Sequence, residues 1–356
     1  MGVVKFVREY IVNSHKEHKE EYMKLAILIP VYNAEKYLGE CLASVRAAGE
    51  AFLRAPTCDG ASRAFGVFCC DDGSKDGSLA FLQDYAAKLR DAANPFADFR
   101  VTTQANAGVV ATRNRLMDEL PSDYDAFAFM DSDDFIKPEM YARLAEAMER
   151  TGADVAECEW DGEERVIDDM SVYCLRRTAP GKWINVINKI YRRSAVGAIR
   201  FRTGLAFEED FFFNSEVNAA ITRKVLVPER FYTYRSNPTS ATSTLNLRKY
   251  FDSTSHRVRL SLDVFLKAGR VPKALEGEWL KELSKDTYRM CIRKNLKKNR
   301  DAALKGQLFC EAGAFLSRLE RDDAFRPTGL NPIQLLLWRA TLRGNFVLAR
   351  FLAAFT

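Results

Sequence analysis

Short apolar runs alternate with helix-like segments through the first part of the chain. Residues Leu25–Ile29 are apolar without interruption and stop at Pro30, which is the pattern of a strand buried on both faces of a parallel sheet. Apolar side chains then recur at intervals of three and four, at Leu38, Cys41, Leu42 and Val45. This spacing predicts a helix with one apolar stripe against the sheet.

The same alternation continues as far as Pro138. Apolar runs predict further strands at 65–70, 99–103 and 126–130. Helices are predicted between and after them, at 79–89, at 109–120 and from Pro138, which suits a first helical turn. Strands alternating with helices of this length require right-handed crossovers. The pattern therefore predicts an α/β fold, with a mostly parallel sheet and helices on both faces.

The second part of the chain has a less regular pattern. Strand-like segments occur at 153–160, 224–227 and 231–235, and the chain is helical in character from about Leu247. We therefore divide the chain into an N-terminal extension, an α/β domain and a helical, basic and amphipathic C-terminal region, at 1–23, 24–246 and 247–356.

Composition and charge exclude several classes of protein. The 356 residues are 47% hydrophobic and 28% charged, as in ordinary globular chains rather than disordered or fibrous ones. The net charge of +5 is too small to indicate nucleic-acid binding. The eight cysteines include no C-x-x-C pair, so we expect reduced thiols. The sequence shows no signal peptide and no apolar run long enough for a transmembrane helix. We therefore expect a location in the cytoplasm, either free or at a membrane face.

Three polar motifs directly follow the predicted strands. They are Pro30-Val31-Tyr32-Asn33, Asp71-Asp72-Gly73-Ser74 and Asp131-Ser132-Asp133-Asp134. Ligands of parallel sheets bind beyond the carboxyl ends of the strands, so these motifs predict one shared site. Asp131 and Asp133 suit a Mg²⁺ or Mn²⁺ ion shared with a diphosphate. The alternative is a solvated acidic turn that favours the start of a helix.

The other two motifs also allow two interpretations. A carboxylate of Asp71-Asp72 could accept a hydrogen bond from a base or a ribose, or the motif could equally be an acidic turn that caps a helix. Tyr32 offers a flat ring to a nucleobase, but Pro30–Asn33 could equally serve packing alone. No Gly-rich phosphate loop follows the first strand. Classical dinucleotide binding and P-loop hydrolysis are therefore disfavoured.

The motifs, in this order and spacing, resemble those of family 2 glycosyltransferases. Gln104-Ala-Asn106-Ala-Gly108 and Arg113-Asn114 complete the resemblance, which covers about Leu25 to Asn237. It implies the GT-A fold, a nucleotide-diphosphate-sugar donor (with UDP expected), Mn²⁺ or Mg²⁺, and inversion at the anomeric carbon. The alanine that the family places directly before Arg113 is separated from it here by Thr112.

The resemblance also assigns roles to residues of this chain. It places Asp131 and Asp133 at the metal, with Asp131 also contacting the ribose, and Asp72 facing the base. Asp210 would be the catalytic base. Residues implied to bind the nucleotide sugar are Pro30, Val31, Tyr32, Asn33, Asp72, Asn106, Arg113, Asp131 and Ser132. Contacts to the diphosphate or acceptor are expected at Glu209, Lys189, Arg235 and Ser240, although Lys189 and Arg235 could equally be surface cations, and Glu209-Asp210 could be an acidic helix start.

The C-terminal region carries the excess positive charge. Between Lys281 and Arg300 there are eight Lys and Arg residues and two acidic ones, so 8 − 2 = +6. The final segment from Asn331 is apolar but interrupted by arginines on one helical face, with Gly344 as a predicted break. Contact with an anionic membrane, peripheral on the inner face, is one interpretation. The others are a solvated helix face and packing onto the catalytic domain or a second subunit; nucleic acid is a weaker alternative, because no recognised binding motif accompanies the charge.

Together these observations predict an inverting, metal-dependent glycosyltransferase of hexosyltransferase type. It would move a sugar to a saccharide or lipid-linked acceptor in bacterial surface-glycan synthesis, without a nucleic-acid partner. Two alternatives are a sugar-nucleotide nucleotidyltransferase and a catalytically silent saccharide-binding protein with the same fold. The first would need a Gly-rich basic loop where Pro30–Asn33 stands, and the second does not require Asp131, Asp133 and Asp210.

Overall fold

The structure is a computed structural model, and it describes the chain in ranges separated by gaps. The described residues are 23–57, 62–91, 94–158, 162–168, 170, 185–203, 209–235, 255, 258–259, 262–267, 269, 271, 273–293, 296, 302–322 and 325–353. The structural statements that follow refer to these residues. The predicted N-terminal extension lies outside them apart from Met23.

The first part of the chain folds into alternating strands and helices. The strands are β1 (Met23–Val31), β2 (Arg63–Asp71), β3 (Asp98–Thr103) and β4 (Ala126–Phe129). The helices are α1 (Glu35–Arg54), α2 (Ser78–Asp91), α3 (Val109–Asp118) and α4 (Met140–Thr151). Each was predicted, with ends shifted by a few residues. The placement of Pro138 in the first turn of α4 was wrong, because Glu139 is the N-cap and Pro138 lies in the preceding turn.

The later strands are shorter. They are β5 (Phe135–Ile136), β6 (Val155–Glu157), β7 (Arg165–Ile167), β8 (Lys189–Arg192), β9 (Lys224–Leu226) and β10 (Tyr232–Thr233), with helices α5 (Arg193–Val196) and α6 (Glu209–Ala220). The sequence predicted β6, β9 and β10 but missed β5, β7 and β8. The missed strands have two to four residues, and no wider apolar or alternating segment marks them in the sequence, as one does at 153–160, 224–227 and 231–235.

Eight of these strands form one sheet. Their order is β3-β2-β1-β4-β8-β6-β9-β7. Strands β3, β2, β1 and β4 pair in parallel, whereas β8 is antiparallel to both β4 and β6. Strands β5 and β10 form a separate antiparallel pair. The mostly parallel sheet surrounded by helices is the predicted GT-A-like architecture.

The apolar run of β1 explains why this strand is central. Leu25 through Val31 are all buried. Leu25, Ile27 and Ile29 lie in one hydrophobic cluster with the predicted α1 stripe, including Leu38 and Leu42. Burial of each such side chain contributes about 1.5–3 kcal/mol. The strand carrying the first polar motif is thus fixed by packing on both of its edges and on its face.

The C-terminal helices have a separate core. They are α7 (Glu276–Thr287), α8 (Ala302–Asp322), α9 (Pro332–Leu342) and α10 (Phe346–Ala353), with π-helical turns at Leu262–Lys267 and Tyr288–Arg293 and a 3₁₀ turn at Lys273–Leu275. Trp338 is fully buried in this core. A capping box between Asn331 and Gln334 starts α9. Gly344, with φ of +67°, separates α9 from α10 as predicted.

The chain divides into two compact units. One contains Met1–Val166, Ile187–Gly197 and Val225–Arg235. The other contains Ile167–Val186, Ala198–Lys224 and Ser236–Thr356. Residues 167–186, 198–224 and 236–246 of the predicted α/β domain therefore fall in the second unit, and the predicted domain boundary near residue 247 stays a prediction.

Candidate active site

Strand pairing brings the ends of β1, β2 and β4 together at one edge. Val31 pairs with Asp71 across β1 and β2, and Leu28 pairs with Phe129 across β1 and β4. The backbone N–H of Met130 donates to Leu28 O at 3.1 Å. The three polar motifs therefore share one edge of the sheet, as the sequence predicted.

The turn after β1 is joined to the turn after β2 through Asn33. Its backbone N–H donates to Ser74 Oγ at 2.9 Å, and its Oδ1 accepts from Lys75 N at 2.8 Å. Asn33 has a φ of +49°, a conformation that Asn tolerates better than most residues. Tyr32, beside it, is 47% exposed. The Tyr32 ring therefore lies at the surface of this edge, next to a turn whose position is fixed by the hydrogen bonds of Asn33.

Asp72 holds the loop that precedes α3. The residue is buried, and its Oδ1 accepts from Gln104 Nε2 and Ala107 N, both at 2.8 Å. Its Oδ2 accepts from Gly108 N at 2.8 Å, and its backbone carbonyl accepts from Asn106 Nδ2 at 3.0 Å. The carboxylate therefore organises the Gln104–Gly108 loop. A contact with a nucleobase stays a prediction.

The two residues flanking Asp72 tighten the same turn. Asp71 is buried; its Oδ2 accepts from Ser74 N at 3.3 Å and Thr103 Oγ1 at 3.1 Å. Its Oδ1 is buried without a hydrogen-bond partner. Gly73 has a φ of +69°, and a Cβ there would lie 2.8 Å from Asn106 N. Close approach of the two loops therefore requires glycine.

Arg113 sets the position of Asp131. Helix α3 carries Arg113 into a buried position, where its Nη2 donates to Asp131 Oδ1 at 2.9 Å. The guanidinium also lies 5.9 Å from the centre of the Phe129 ring. One carboxylate oxygen of Asp131 is therefore committed to an ion pair. The predicted contact of Arg113 with the nucleotide stays a prediction.

The other members of the acidic motif differ in environment. Ser132 and Asp134 are buried, while Asp133 is partly exposed. Asp134 Oδ2 accepts from Tyr232 Oη and its Oδ1 from Arg235 N, both at 2.7 Å. Burial raises the pKa of Asp134 to about 7; the charges of Asp131 and Asp133 also raise it, while both hydrogen bonds oppose the change.

Arg235 is engaged on several sides. Its Nε donates to Asp133 O at 2.8 Å, and its Nη2 forms an ion pair with Glu40. The guanidinium lies 5.3 Å from the Tyr37 ring centre and 5.2 Å from that of Phe135. The side chain is 27% exposed and held by these contacts, and the predicted contact with the diphosphate or acceptor stays a prediction. Ser240, the other expected contact in this segment, lies outside the described residues.

Lys189 is part of the sheet interior. Its side chain is 1% exposed, its Nζ donates to Asn188 Oδ1 at 2.6 Å and lies 3.7 Å from Glu157 Oε2. Asn188 in turn donates to Cys158 O at 2.8 Å. Lys189 is therefore not a surface cation, since its side chain lies inside the protein beside Glu157. The predicted diphosphate or acceptor contact is untested.

Glu209 and Asp210 begin α6 in the second unit. Asp210 Oδ2 accepts from Val186 N at 3.3 Å, and Asn214 Nδ2 donates to Asp210 O at 2.9 Å. Both acidic residues are partly exposed, whereas Phe212 and Phe213 behind them are buried. The buried Phe212 and Phe213 thus fix the start of α6, and the Asp210 carboxylate lies near the surface of its own unit.

The oxygen donors of the acidic motif fit a metal ion only if a bound ligand supplies further oxygen atoms to its coordination shell. No group of three or more His, Cys, Asp or Glu side chains that could hold a metal occurs among the described residues. Asp131 and Asp133 supply hard oxygen donors, and Arg113 already binds one of them. Mg²⁺ commonly takes one or two carboxylates and completes its shell with phosphate oxygens and water. The residues present fit that arrangement.

The sequence did not predict the residues that contact the acidic motif or Arg235 from distant parts of the chain. Glu40 and Tyr232 are remote in sequence but contact Arg235 and Asp134. Asp134 was read as part of the motif without a role. No periodicity or spacing signal links these positions, because the link is made by the β5–β10 pairing.

Comparisons with known proteins agree with this geometry. Residues 26–207 match the model of Glycosyl transferase family 2. The uncharacterized glycosyltransferase EpsJ of Bacillus subtilis is 27% identical over 239 residues, which cover 61% of this chain and 62% of EpsJ. The chain thus spans less than two thirds of this relative. Poly(ribitol-phosphate) beta-N-acetylglucosaminyltransferase TarS of Staphylococcus aureus is 26% identical over 56% of this chain and 31% of TarS.

Solved structures share the fold. TarS 1-349 in complex with UDP-GlcNAc has a TM-score of 0.65 at 19% identity, covering 93% of this chain and 91% of that one. The mannosyltransferase PcManGT of Pyrobaculum calidifontis, in complex with GDP-Man and Mn²⁺, has a TM-score of 0.50 at 12% identity, covering 99% and 93%. No helix among the described residues is long and apolar enough to cross a membrane.

Proposed function

Because the chain belongs to glycosyl transferase family 2, we propose that it transfers a sugar from a nucleotide-diphosphate donor to a saccharide or lipid-linked acceptor in bacterial surface-glycan synthesis. The observation that carries the proposal is the meeting of three polar motifs at the carboxyl edge of β1, β2 and β4. This is where parallel sheets bind nucleotides. TarS, which shares the fold, was solved with UDP-GlcNAc, which supports a uridine diphosphate donor.

The donor would lie along this edge. Tyr32 is 47% exposed and offers its ring face to the base. Asn106 and Gly108 belong to the loop that Asp72 fixes, so the position of that loop is set by contacts within the chain. Asp131, oriented by Arg113, retains acceptor capacity toward a ribose hydroxyl. Preorganisation of this kind reduces the entropic cost of binding.

Asp133, with Asp131, would hold the Mn²⁺ or Mg²⁺ ion. PcManGT was solved with GDP-Man and Mn²⁺, which supports a divalent ion at such a site. The ion, when bound, neutralises the charge of the departing diphosphate. Without a cation, the carboxylates of this edge would repel a diphosphate. Asp133 is partly exposed, as a ligand shared with a substrate must be.

Asp210 would take the proton of the acceptor hydroxyl in an inverting transfer. A single displacement at the anomeric carbon needs a base beside the attacking hydroxyl, on the side opposite the leaving diphosphate. The Asp210 carboxylate is partly exposed at the first turn of α6, where the positive end of the helix dipole favours negative charge. Glu209, one residue earlier, is the alternative contact to the acceptor.

The α9–α10 hairpin supports peripheral contact with an anionic membrane surface. Its exposed apolar side chains are Ile333, Leu336, Val347 and Leu348. Arg339, Arg343 and Arg350 are exposed on the same helices, and no Asp or Glu occurs in residues 324–356. Apolar side chains flanked by arginines match a surface of anionic lipids. In co-sedimentation, the full chain should bind anionic vesicles at low salt and Val347→Asp should bind less; self-association of the unmodified protein instead of vesicle binding would contradict the membrane assignment.

Thermal-shift screening tests the donor proposal. A ligand that binds the native state raises the melting temperature by mass action. We expect UDP-sugars to raise it with Mn²⁺ and to do so less with EDTA, and Asp133→Ala to remove the difference. Asp84→Asn is the matched control, because Asp84 is exposed on α2 and, among the residues that the structure describes, pairs with Lys88 alone in an exposed helical pair. Equal shifts with Mn²⁺ and EDTA in the unmodified protein would contradict metal-dependent donor binding.

A further inference from the structure

Strand β10 and Arg235 are attached to the acidic motif at several points. Strands β5 and β10 pair antiparallel, with Phe135 opposite Thr233. The backbone N–H of Lys137 donates to Phe231 O at 2.8 Å. Two hydrogen bonds to Asp134 and one to Asp133 O add to this pairing. The loop from Asp131 to Asp134 is therefore fixed by a segment about one hundred positions away in sequence.

Both carboxylate oxygens of Asp134 take part in this attachment. Both oxygens accept at 2.7 Å, one from Tyr232 Oη and one from Arg235 N. The residue is buried. It therefore differs from its neighbour Asp133, whose side chain is partly exposed, although sequence alone makes the two equivalent.

Arg235 extends the attachment to α1. Its Nε donates to the backbone carbonyl of Asp133, and its Nη2 pairs with Glu40. Tyr37 and Phe135 lie against the guanidinium, where a planar cation is favoured over an ammonium. A guanidinium bound in this way holds the backbone of Asp133 rather than facing outward.

We propose that Arg235, Glu40 and Asp134 are positioning residues that hold the Asp133 carboxylate where a metal-bound donor diphosphate needs it. This inference rests on the proposed function and adds to it, because it gives Arg235 a role other than direct contact with the diphosphate. Residues that orient a metal ligand typically change metal affinity or activity about 10–100-fold when altered. Glu40 is 57% exposed, so its charge can be removed without opening the core.

The two roles of Arg235 predict opposite effects of Glu40→Gln. If Arg235 positions Asp133, loss of its partner loosens the loop and weakens UDP binding in Mn²⁺. If Arg235 contacts the diphosphate directly, loss of Glu40 releases the guanidinium and strengthens binding. Arg235→Lys separates the roles further, because lysine keeps the charge but not the planar, two-sided hydrogen bonding.

The experiment is calorimetric titration of UDP into the full chain, in Mn²⁺ and then in EDTA. If Arg235 positions Asp133, Glu40→Gln and Arg235→Lys should each bind UDP about 10-fold more weakly than the unmodified protein in Mn²⁺. In EDTA their affinity for UDP should equal that of the unmodified protein. Glu50→Gln is the control, because Glu50 lies on the same helix and its ion pairs within the described ranges are with Arg46 and Arg54. Tighter binding by Glu40→Gln, or loss by Arg235→Lys in EDTA as well, would overturn the inference.

Hydrogen exchange without nucleotide separates this inference from the proposed function. The amides of Asp134 to Lys137 should exchange faster in Glu40→Gln and Arg235→Lys than in the unmodified protein or Glu50→Gln, because their attachment is weaker. Unchanged exchange in both variants would overturn the positioning role. Absence of UDP binding by the unmodified protein would count against the proposed function alone, with the attachment still judged by exchange.

Discussion

Replacement of Asp72 by asparagine tests how the Gln104–Gly108 loop is held. The buried carboxylate accepts three hydrogen bonds at 2.8 Å, two at Oδ1 and one at Oδ2. An amide can keep its oxygen at the Oδ1 position, where Gln104 Nε2 and Ala107 N donate. Its NH₂ group would then face the backbone N–H of Gly108, so that two donors meet.

The cost follows from these contacts. A hydrogen bond to a charged group contributes about 1.5–3 kcal/mol, and a buried donor without an acceptor costs about 1–3 kcal/mol. Asp72→Asn loses the bond to Gly108 N and reduces the other two to neutral bonds. We therefore expect a loss of about 2–4 kcal/mol in the free energy of unfolding. Asp72→Ala, which loses all three bonds, should cost more.

Urea denaturation without nucleotide gives the stability change, and hydrogen exchange locates it. Asp72→Asn should accelerate exchange at Ala107 and Gly108 first, since their N–H groups lose charged acceptors. Asp84→Asn, which breaks only an exposed pair with Lys88, should change stability by about 0–0.5 kcal/mol. If Asp72→Asn were equally mild and exchange unchanged, the assignment of Asp72 as the anchor of this loop would be refuted.

Other predictions concern single contacts elsewhere in the first unit and the cysteines. Gly73→Ala should lower thermal stability by at least about 1–2 kcal/mol, because φ is +69° and the added Cβ meets backbone at 2.8 Å; an unchanged melting curve would contradict this. Lys189→Ala should cost about 3–5 kcal/mol in urea, because it removes the buried ion pair with Glu157; a loss smaller than about 1 kcal/mol would show the pair to be dispensable. Iodoacetamide at pH 8 should label exposed Cys310 in the native protein but not Cys69, whose pKa is raised by burial; peptide mass spectrometry that finds equal labelling would contradict the buried assignment.

The sequence predicted the framework of the fold because the central strands have strong patterns. Leu25–Ile29 is apolar without a break, and such a run is compatible with a buried parallel strand. The polar motifs that follow the strands then fall at one edge by geometry alone. The resemblance to family 2 was confirmed by the family match over 26–207.

The connections between motifs could not be predicted from the sequence. Glu40 pairs with Arg235, and their positions differ by 195 residues. Nothing in the local pattern of α1 marks Glu40 as different from other acidic residues on its exposed face. Lys189 is likewise of a residue type that is usually exposed, yet the pairing of β8 with β6 places its side chain in the protein interior. Such contacts depend on strand order, which periodicity does not encode.

Sugar transfer is tested most directly by UDP release from a bound UDP-sugar in the unmodified protein and in Asp210→Asn. In Mn²⁺ the unmodified protein should release UDP, with water as the acceptor where no saccharide is supplied. Asp210→Asn should bind the donor with unchanged affinity by calorimetry and release UDP about 10²–10⁴-fold more slowly. Full release by Asp210→Asn would contradict the assignment of the base, and donor binding without any release by the unmodified protein, both in water alone and with saccharide acceptors supplied, would contradict sugar transfer.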